Sequence, residues 1–311
     1  MRAVTVVGRV MGEDVLKLRD FGNRCDCDFS RWWFVYTIPM HADLNWLNDL
    51  ARRGGALARE QVGQVARQLK RGEEAVTEAD RAVQRLIVTE LTQRFPHDGI
   101  IGEENDDGSA ITNRLPKSGN RVWVIDPIDG TNNYIAGYGA FAVCIGLLVA
   151  GMPVMGVVHD ITRDESYVGD TSTGAWIVRA GTWHPTAAQA TEPGPQSLLM
   201  ITSNLLIAGT LPTWAIRLLT VCPWKLRMLG SAALECAQVG AGTACGAITL
   251  NGKLWDVVAA AAVVLAAGGR VTDFTGHDVF PFDLTNYNGG KVPFLAASVH
   301  AQTLLLAELQ T

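Results

Sequence analysis

The chain has no run of basic residues. Its formal net charge is −5, from 26 Lys and Arg against 31 Asp and Glu. Nothing in it could track a nucleic-acid backbone, so a nucleic-acid polymer is not expected as a partner. Zinc spacing is also missing. Cys25 and Cys27 are one residue apart with no second pair or nearby His, and Cys144, Cys222, Cys236 and Cys245 are scattered. Several of these lie in apolar runs, where a free thiol acts as a small hydrophobe, which points to a reducing, cytoplasmic setting. The six histidines form no ligand pair at helical spacing. The longest apolar tract, about 140–158, is broken by Gly151, Met152 and Pro153 into two strand-length pieces, so no membrane span is expected. No signal peptide is legible, because the apolar run at 32–38 is short and lies too far in. There is no internal repeat and no low-complexity tract. What remains is a globular chain of 311 residues, 48% hydrophobic, with enough material for a sizeable core in two packed lobes.

One stretch organises the rest: Trp123-Val124-Ile125-Asp126-Pro127-Ile128-Asp129-Gly130-Thr131. Its apolar, β-branched start reads as a short buried strand. Pro127 fixes its own φ and holds Asp126 extended, and Gly130 permits a sharp turn or a close approach to a ligand. Two carboxylates on a stiff turn at a strand end, with a hydroxyl just beyond, are oxygen ligands suited to a hard divalent cation. Asp-Pro and Asp-Gly pairs are also ordinary turn formers, so this stretch alone leaves a plain turn open.

Residues 1–39 do not resemble the rest of the chain. Met40 is read as the natural start, with 1–39 a translated upstream stretch or dispensable extension; an N-terminal arm packed on the body is the alternative. A first helix is expected over about 42–70, ended by Gly72. Thr77-Glu78-Ala79-Asp80 reads as a capping box opening a second helix, with Val83, Leu86, Ile87 and Leu91 on one apolar face. A short strand at 99–102 leads to Glu103-Glu104-Asn105, and 106–120 reads as an exposed loop. Strands at about 141–149, 154–159, 165–169 and 175–178 form an antiparallel meander. A change of composition at 186–196 marks a lobe boundary, dividing an α+β lobe at 40–190 from an α/β lobe at 191–311. In the second lobe, strands at about 198–202, 225–229, 247–250, 270–274 and 293–297 alternate with helices at 211–220, 231–239, 255–267 and from 301.

The acids of interest sit at element boundaries: Asp80 opens a helix, Glu103 ends a strand, Asp126 and Asp129 follow another, and Asp256 opens the helix at 255–267. Taken singly, Asp80 and Asp256 could be acids favoured by a helix dipole, and Glu103-Glu104 a solvated pair. Together, with no basic cluster to offset them, they would be a costly knot of negative charge unless cations held it.

Gly102-Glu103-Glu104-Asn105, Trp123 to Tyr134, and Trp255-Asp256 with Gly268-Gly269 thirteen residues past the Trp resemble the inositol monophosphatase family. Val76-Thr77-Glu78-Ala79-Asp80 and Leu229-Gly230-Ser231-Ala232-Ala233 match it in the same order, over about residues 42–309. The resemblance implies a layered αβαβα sugar-phosphatase fold with two lobes and a Mg²⁺-dependent, lithium-sensitive phosphatase. Glu103, Asp126, the carbonyl oxygen of Ile128, Asp129 and Asp256 would bind two Mg²⁺ ions, with Asp80 near a third, weaker site. Glu103, or the pair Asp80 and Thr131, would orient or deprotonate the attacking water. Gly130 and Thr131 N–H groups would hold phosphate, with Asp129 and Asp256 close to the substrate. Gly230, Ser231 and Ala232 would line its alcohol part. The resemblance also raises a homodimer, which nothing in the residues confirms or excludes.

Three positions depart from the family pattern. Val258 stands where the family has a small residue. Inositol-handling members place a Glu seven residues before the Asp matched by Asp256, and here that position is Thr249, with Asn251 the nearest amide that could substitute. A Lys or Arg usually precedes the Thr77–Asp80 motif; Lys70 and Arg71 stand there at slightly short spacing and are not assigned. The first expectation is therefore hydrolysis of an inositol 1-phosphate-like ester. Histidinol phosphate, fructose 1,6-bisphosphate and 3′-phosphoadenosine substrates stay open, and the competing class is a non-catalytic metal- or phosphate-binding protein of the same fold.

Overall fold

The computed structural model describes residues 40–63, 68–69, 75–104, 112–114, 116, 120–203, 205–207 and 209–310. The expectations placed on residues 1–39, Lys70 and Arg71 fall outside these. Five layers stack. Helices α1 (Met40–Arg59) and α2 (Glu78–Arg94) form the first. An eight-stranded sheet lies next to them, built in chain order from β3 (Gly99–Gly102), β4 (Thr112–Arg114), β5 (Arg121–Asp129), β6 (Ala142–Val149), β7 (Met152–Asp160), β8 (Glu165–Asp170), β9 (Gly174–Arg179) and β10 (Thr182–Thr186). Its spatial order is β10-β9-β8-β7-β6-β5-β3-β4, all antiparallel except β3 with β5. Helices α5 (Ala232–Gly240) and α6 (Leu254–Ala266) form the middle layer.

A second sheet contains β11 (Leu198–Ile201), β12 (Lys225–Arg227), β13 (Ala244–Thr249), β14 (Arg270–Thr272) and β15 (Phe294–Ala297), in the order β12-β11-β13-β15-β14. Helices α4 (Thr213–Thr220) and α7 (Val299–Leu309) cover its far face. A two-stranded hairpin, β1 (Gln68–Leu69) with β2 (Ala75–Val76), and the short helix α3 (Thr131–Ala136) complete the described elements. This is the layered α+β architecture expected. No helix among the described residues is long and apolar enough to cross a membrane.

Several boundaries differ from the expectation. Helix α1 stops at Arg59, well short of 70, because the chain leaves it through Gly63 at φ +67°, whose N–H donates to the Tyr134 carbonyl. Strand β5 does not end at Ile125; it runs on through Pro127 to Asp129. The turn placed at Gly151 to Pro153 is made by Ala150 and Gly151, both at positive φ, and Pro153 lies inside β7 beside a register shift. The stretch 106–120 holds β4, which pairs with β3, and β10 extends the sheet to Thr186. The second sheet is mixed, since β15 runs antiparallel to both β13 and β14.

The middle layer sits unusually close to the large sheet. Gly146, Gly156 and Gly169 are register partners across β6, β7 and β8. A Cβ on Gly156 would lie 2.3 Å from the Ala259 carbonyl oxygen, and one on Gly169 would lie 2.4 Å from Val263 Cα. A Cβ on Gly146 would meet Val258 Cγ1 and the Ala259 nitrogen, both at 2.7 Å. The bare glycine stripe thus lets the backbone of α6, rather than its side chains, rest on the sheet. Val258 is fully buried in this contact, accommodated by the missing side chain of Gly146. Replacing Gly156 with Ala should destabilise the protein by about 1–3 kcal/mol through overpacking. Gly194→Ala, at a site with nothing within 4 Å of the added methyl, should change little. Equilibrium denaturation of both variants checks this.

Candidate active site

Four elements deliver the five acids. Asp80 is the third residue of α2, where its carboxylate accepts the Thr77 N–H at 2.8 Å and the Thr77 hydroxyl at 2.5 Å, while its own N–H donates to Thr77 Oγ1. Glu103 comes directly after β3, and its N–H donates to the Ile125 carbonyl at 3.1 Å. The parallel pairing of β3 with β5, Gly102 opposite Ile125, therefore sets Glu103 beside Asp126. Asp256 is the third residue of α6 and accepts the Lys253 N–H at 2.8 Å.

The end of β5 carries a bulge. Val122 and Val124 face the middle layer, while Trp123 and Ile125 face α1 and α2. Strict alternation would send Asp126 to the middle layer and Asp129 to the opposite face. Between the pairs Asp126 with Cys144 and Asp129 with Ala142, however, Pro127 and Ile128 together oppose the single Val143. The extra residue puts Ile128 among the side chains under α1 and α2 and returns Asp129 to the face of Asp126. Pro127, which has no N–H to lose, is well suited to such a position. One carboxylate oxygen from each of Asp126, Asp129 and Asp256 then lies within 4.8 Å of the other two.

These three, with Glu103, line a cavity of about 140 Å³. Ile128, Gly130, Thr131, Asn251, Lys253 and Trp255 complete its wall. Gly130 sits at φ +90°, where a Cβ would come within 2.9 Å of the Ala140 carbonyl oxygen, so the backbone here admits no side chain. The Thr131 hydroxyl lies 3.0 Å from the Ile128 carbonyl and 3.5 Å from Asp80 Oδ1, which links Asp80 to the cavity.

Burial raises the pKa of all three clustered aspartates. Asp126 is held well above the carboxylate range by desolvation and then by Glu103, Asp129 and Asp256. Asp256 is raised likewise, by burial and then by Asp129 and Glu103. Asp129 is pushed up to about 6 by burial, although the Ser231 hydroxyl and the Ala233 and Ala232 N–H groups favour its charged form. Among the described residues no Lys or Arg forms an ion pair with Asp126, Asp129 or Asp256. A pocket of converging oxygen donors with that much uncompensated charge fits a divalent cation and fits no neutral ligand nearly as well.

Other expected contacts take different places. Gly230, Ser231 and Ala232 do not line the cavity. Ser231 is buried behind Asp129, caps α5 through Leu234 N–H, and donates its hydroxyl to Asp129. Thr249 is also absent from the wall. It is the last residue of β13, paired with Phe294, and its buried hydroxyl has no hydrogen-bond partner among the described residues. A Cβ on Gly252 would lie 2.9 Å from its methyl, so the chain passes over it and reaches the cavity only at Asn251. Two residues of the site were not singled out from the sequence. Lys253 is one, and its position three residues before Asp256 was its signal. Glu235 is the other, four residues past Ser231 in the first turn of α5. Glu235 is buried and accepts the Leu229 and Gly230 N–H groups at 2.7 and 3.1 Å. Burial raises its pKa to about 8, those two donors pulling the other way.

The family model of the inositol monophosphatase family matches residues 41–310. The chain belongs to that family. It is 33% identical over 249 residues to inositol monophosphatase 1 of Solanum lycopersicum, covering 76% of this chain and 85% of that one. It is 32% identical over 209 residues to a fructose-1,6-bisphosphatase/inositol-1-monophosphatase of Thermotoga maritima, covering 67% and 74%. Among solved structures, the suhB extragenic suppressor protein of Bartonella henselae superimposes with a TM-score of 0.75 at 26% identity, over 87% of this chain and 99% of that one. A Thermotoga maritima IMPase gives 0.71 at 27%, over 86% and 97%. Members of this family are metal-dependent phosphatases that hydrolyse phosphomonoesters, and this chain is a phosphatase.

The raised carboxylates set a pH dependence. Asp129 binds its proton more tightly folded than unfolded, so its contribution to stability is complete below about 3.8 and is lost as pH rises through about 6. In EDTA, the D129N variant should lose less Tm than the parent chain between pH 5 and pH 7.5. Thermal unfolding at three pH values measures the difference, and identical slopes would refute it.

Proposed function

We propose that this chain is a Mg²⁺-dependent phosphomonoesterase acting on a small phosphorylated alcohol, of which inositol 1-phosphate is the first choice. The observation that carries the reading is the convergence of Asp126, Asp129 and Asp256 at one small cavity that Glu103 and Thr131 also line. Glu103, Asp126, the Ile128 carbonyl, Asp129 and Asp256 would hold the ions. Bound divalent cations supply neutralisation of the phosphate dianion and acidification of water. The protein's own part is placement. Glu103 and the Thr131 hydroxyl, the latter backed by Asp80, would orient the attacking water and take up its proton. Gly130 and Thr131 would present backbone N–H groups to phosphate oxygens. Among the described residues, no side chain lining the cavity has the setting of an activated nucleophile, so a direct attack by water is the simplest course.

Lys253 favours a second substrate reading. Among the described residues it brings an ammonium group to the cavity wall, with Nζ 3.0 Å from the Gly289 carbonyl and 5.7 Å from the Trp255 ring centre. A cation there suits a substrate with a second anionic group, such as fructose 1,6-bisphosphate.

Phosphate release from inositol 1-phosphate, fructose 1,6-bisphosphate, histidinol phosphate and 3′-phosphoadenosine 5′-phosphate, each with Mg²⁺ and with EDTA, tests both readings. At least one substrate should turn over in Mg²⁺ and stop in EDTA, and D129N should lower that rate by about 100-fold or more. Turnover that survives both EDTA and D129N would remove the metal-site mechanism. No turnover of any of the four with Mg²⁺ would point to a phosphomonoester outside this panel.

A further inference from the structure

The turn at Leu229 and Gly230 is gripped from two sides. From inside, Glu235 Oε1 accepts both of its N–H groups. From outside, Asn133 on α3 donates to the Leu229 carbonyl at 2.7 Å and to the Ala140 carbonyl at 2.9 Å. Gly230 occupies the left-handed region at φ +79°, with Asn133 Nδ2 3.0 Å from where a Cβ would stand, so this position takes glycine and no side chain without strain. The next residue is Ser231, whose hydroxyl donates to Asp129, and two further on the Ala233 N–H donates to the same oxygen at 2.8 Å. The whole arrangement is one chain of contacts leading from Glu235 to a carboxylate on the cavity wall.

We propose that Glu235 is a positioning residue for the metal site: by holding the Leu229–Gly230 turn it sets Ser231, and through Ser231 the orientation of Asp129. Its carboxyl touches no cavity space and lines no part of the wall. It reaches back from the first turn of α5 past the capping residue, so one side chain joins the helix to the turn that precedes it. An ordinary capping box would satisfy the cap's own N–H; this one anchors the two residues before the cap. Near neutral pH the side chain carries its proton, which makes it an acceptor that adds no charge beside four acids already crowded together. Gln offers the same acceptor in the same place.

The inference rests on the metal-site reading, and the test separates the two. The Mg²⁺-induced rise in Tm and the Mg²⁺ concentration for half-maximal phosphate release are measured for the parent chain, E235A, E235Q, S231A and E235A/S231A. E235A should need about 10-fold or more Mg²⁺ and show a smaller Mg²⁺-induced Tm rise, as expected for loss of a residue that orients a ligand. E235Q should restore both toward the parent values. The double variant should be no worse than S231A, because Glu235 acts through Ser231. Should E235A fail to fold, E235D, one methylene shorter, is read in the same way and should show the same shift. Additive losses in the double variant, parent-like behaviour of E235A or E235D, or an E235Q as impaired as E235A would each overturn the proposal. A parent chain with no Mg²⁺-induced rise overturns the metal-site reading itself, whereas a rise without turnover leaves the Tm comparison to decide the role of Glu235.

Discussion

Helix α6 lies directly on bare backbone, and the rest of the site depends on that contact. Three glycines in register across β6, β7 and β8 leave a shallow track, and the Ala- and Val-rich helix fills it. Any side chain in the track would lift the helix by the thickness of a methyl group or more. Asp256 rides at the N-terminal end of this helix, and its partners Asp126 and Asp129 are at the end of β5 in the sheet below. Within the same layer, Gly240 of α5 permits a similarly close approach to Val263 of α6. Packing of small residues thus fixes a distance that polar chemistry then uses.

The cost of that distance is electrostatic, and backbone groups meet part of it. Asp80 takes the Thr77 N–H, Asp126 the Ile128 N–H at 3.0 Å, Asp129 the Ala233 N–H and Asp256 the Lys253 N–H. In every case the donor lies within the same local turn or at the start of a packed helix, so a carboxylate is oriented by main chain that is itself held rigid. Burial, and after it the neighbouring carboxylates, raises the proton affinities that these bonds do not offset, and the same crowding makes the cluster receptive to cations.

Much of this was legible in the sequence, and the reasons for the failures are physical. Capping chemistry is local, so the box of Thr77 with Asp80 could be read directly, whereas Ser231 was placed only at the start of a helix and its capping bond comes from the structure. Positions at element ends were legible for the same reason. The bulge was not, because face assignment by alternation assumes a regular strand, and whether a strand is regular is decided by its neighbour β6. Counting seven residues back from Asp256 reached Thr249, but sequence distance says nothing about which side of the Gly252 crossing faces the cavity. The end of α1 was misplaced because its apolar spacing continues past the point where Gly63 turns the chain. Gly146, Gly156 and Gly169 carry no signal singly, and only strand register shows that they form one stripe.

The bulge at Pro127 and Ile128 makes the site depend on chain length as well as on chemistry. One residue more on β5 than on β6 is what brings Asp129 back to the face of Asp126. A single-residue insertion in β6 beside Val143, opposite the bulge, would leave every acid in the chain and restore perfect alternation. It would also turn Asp129 into the apolar layer beneath α1 and α2. The arithmetic of the strand, odd or even, is therefore inherited along with the ligands, and comparisons that tally residue identities alone would not register its loss.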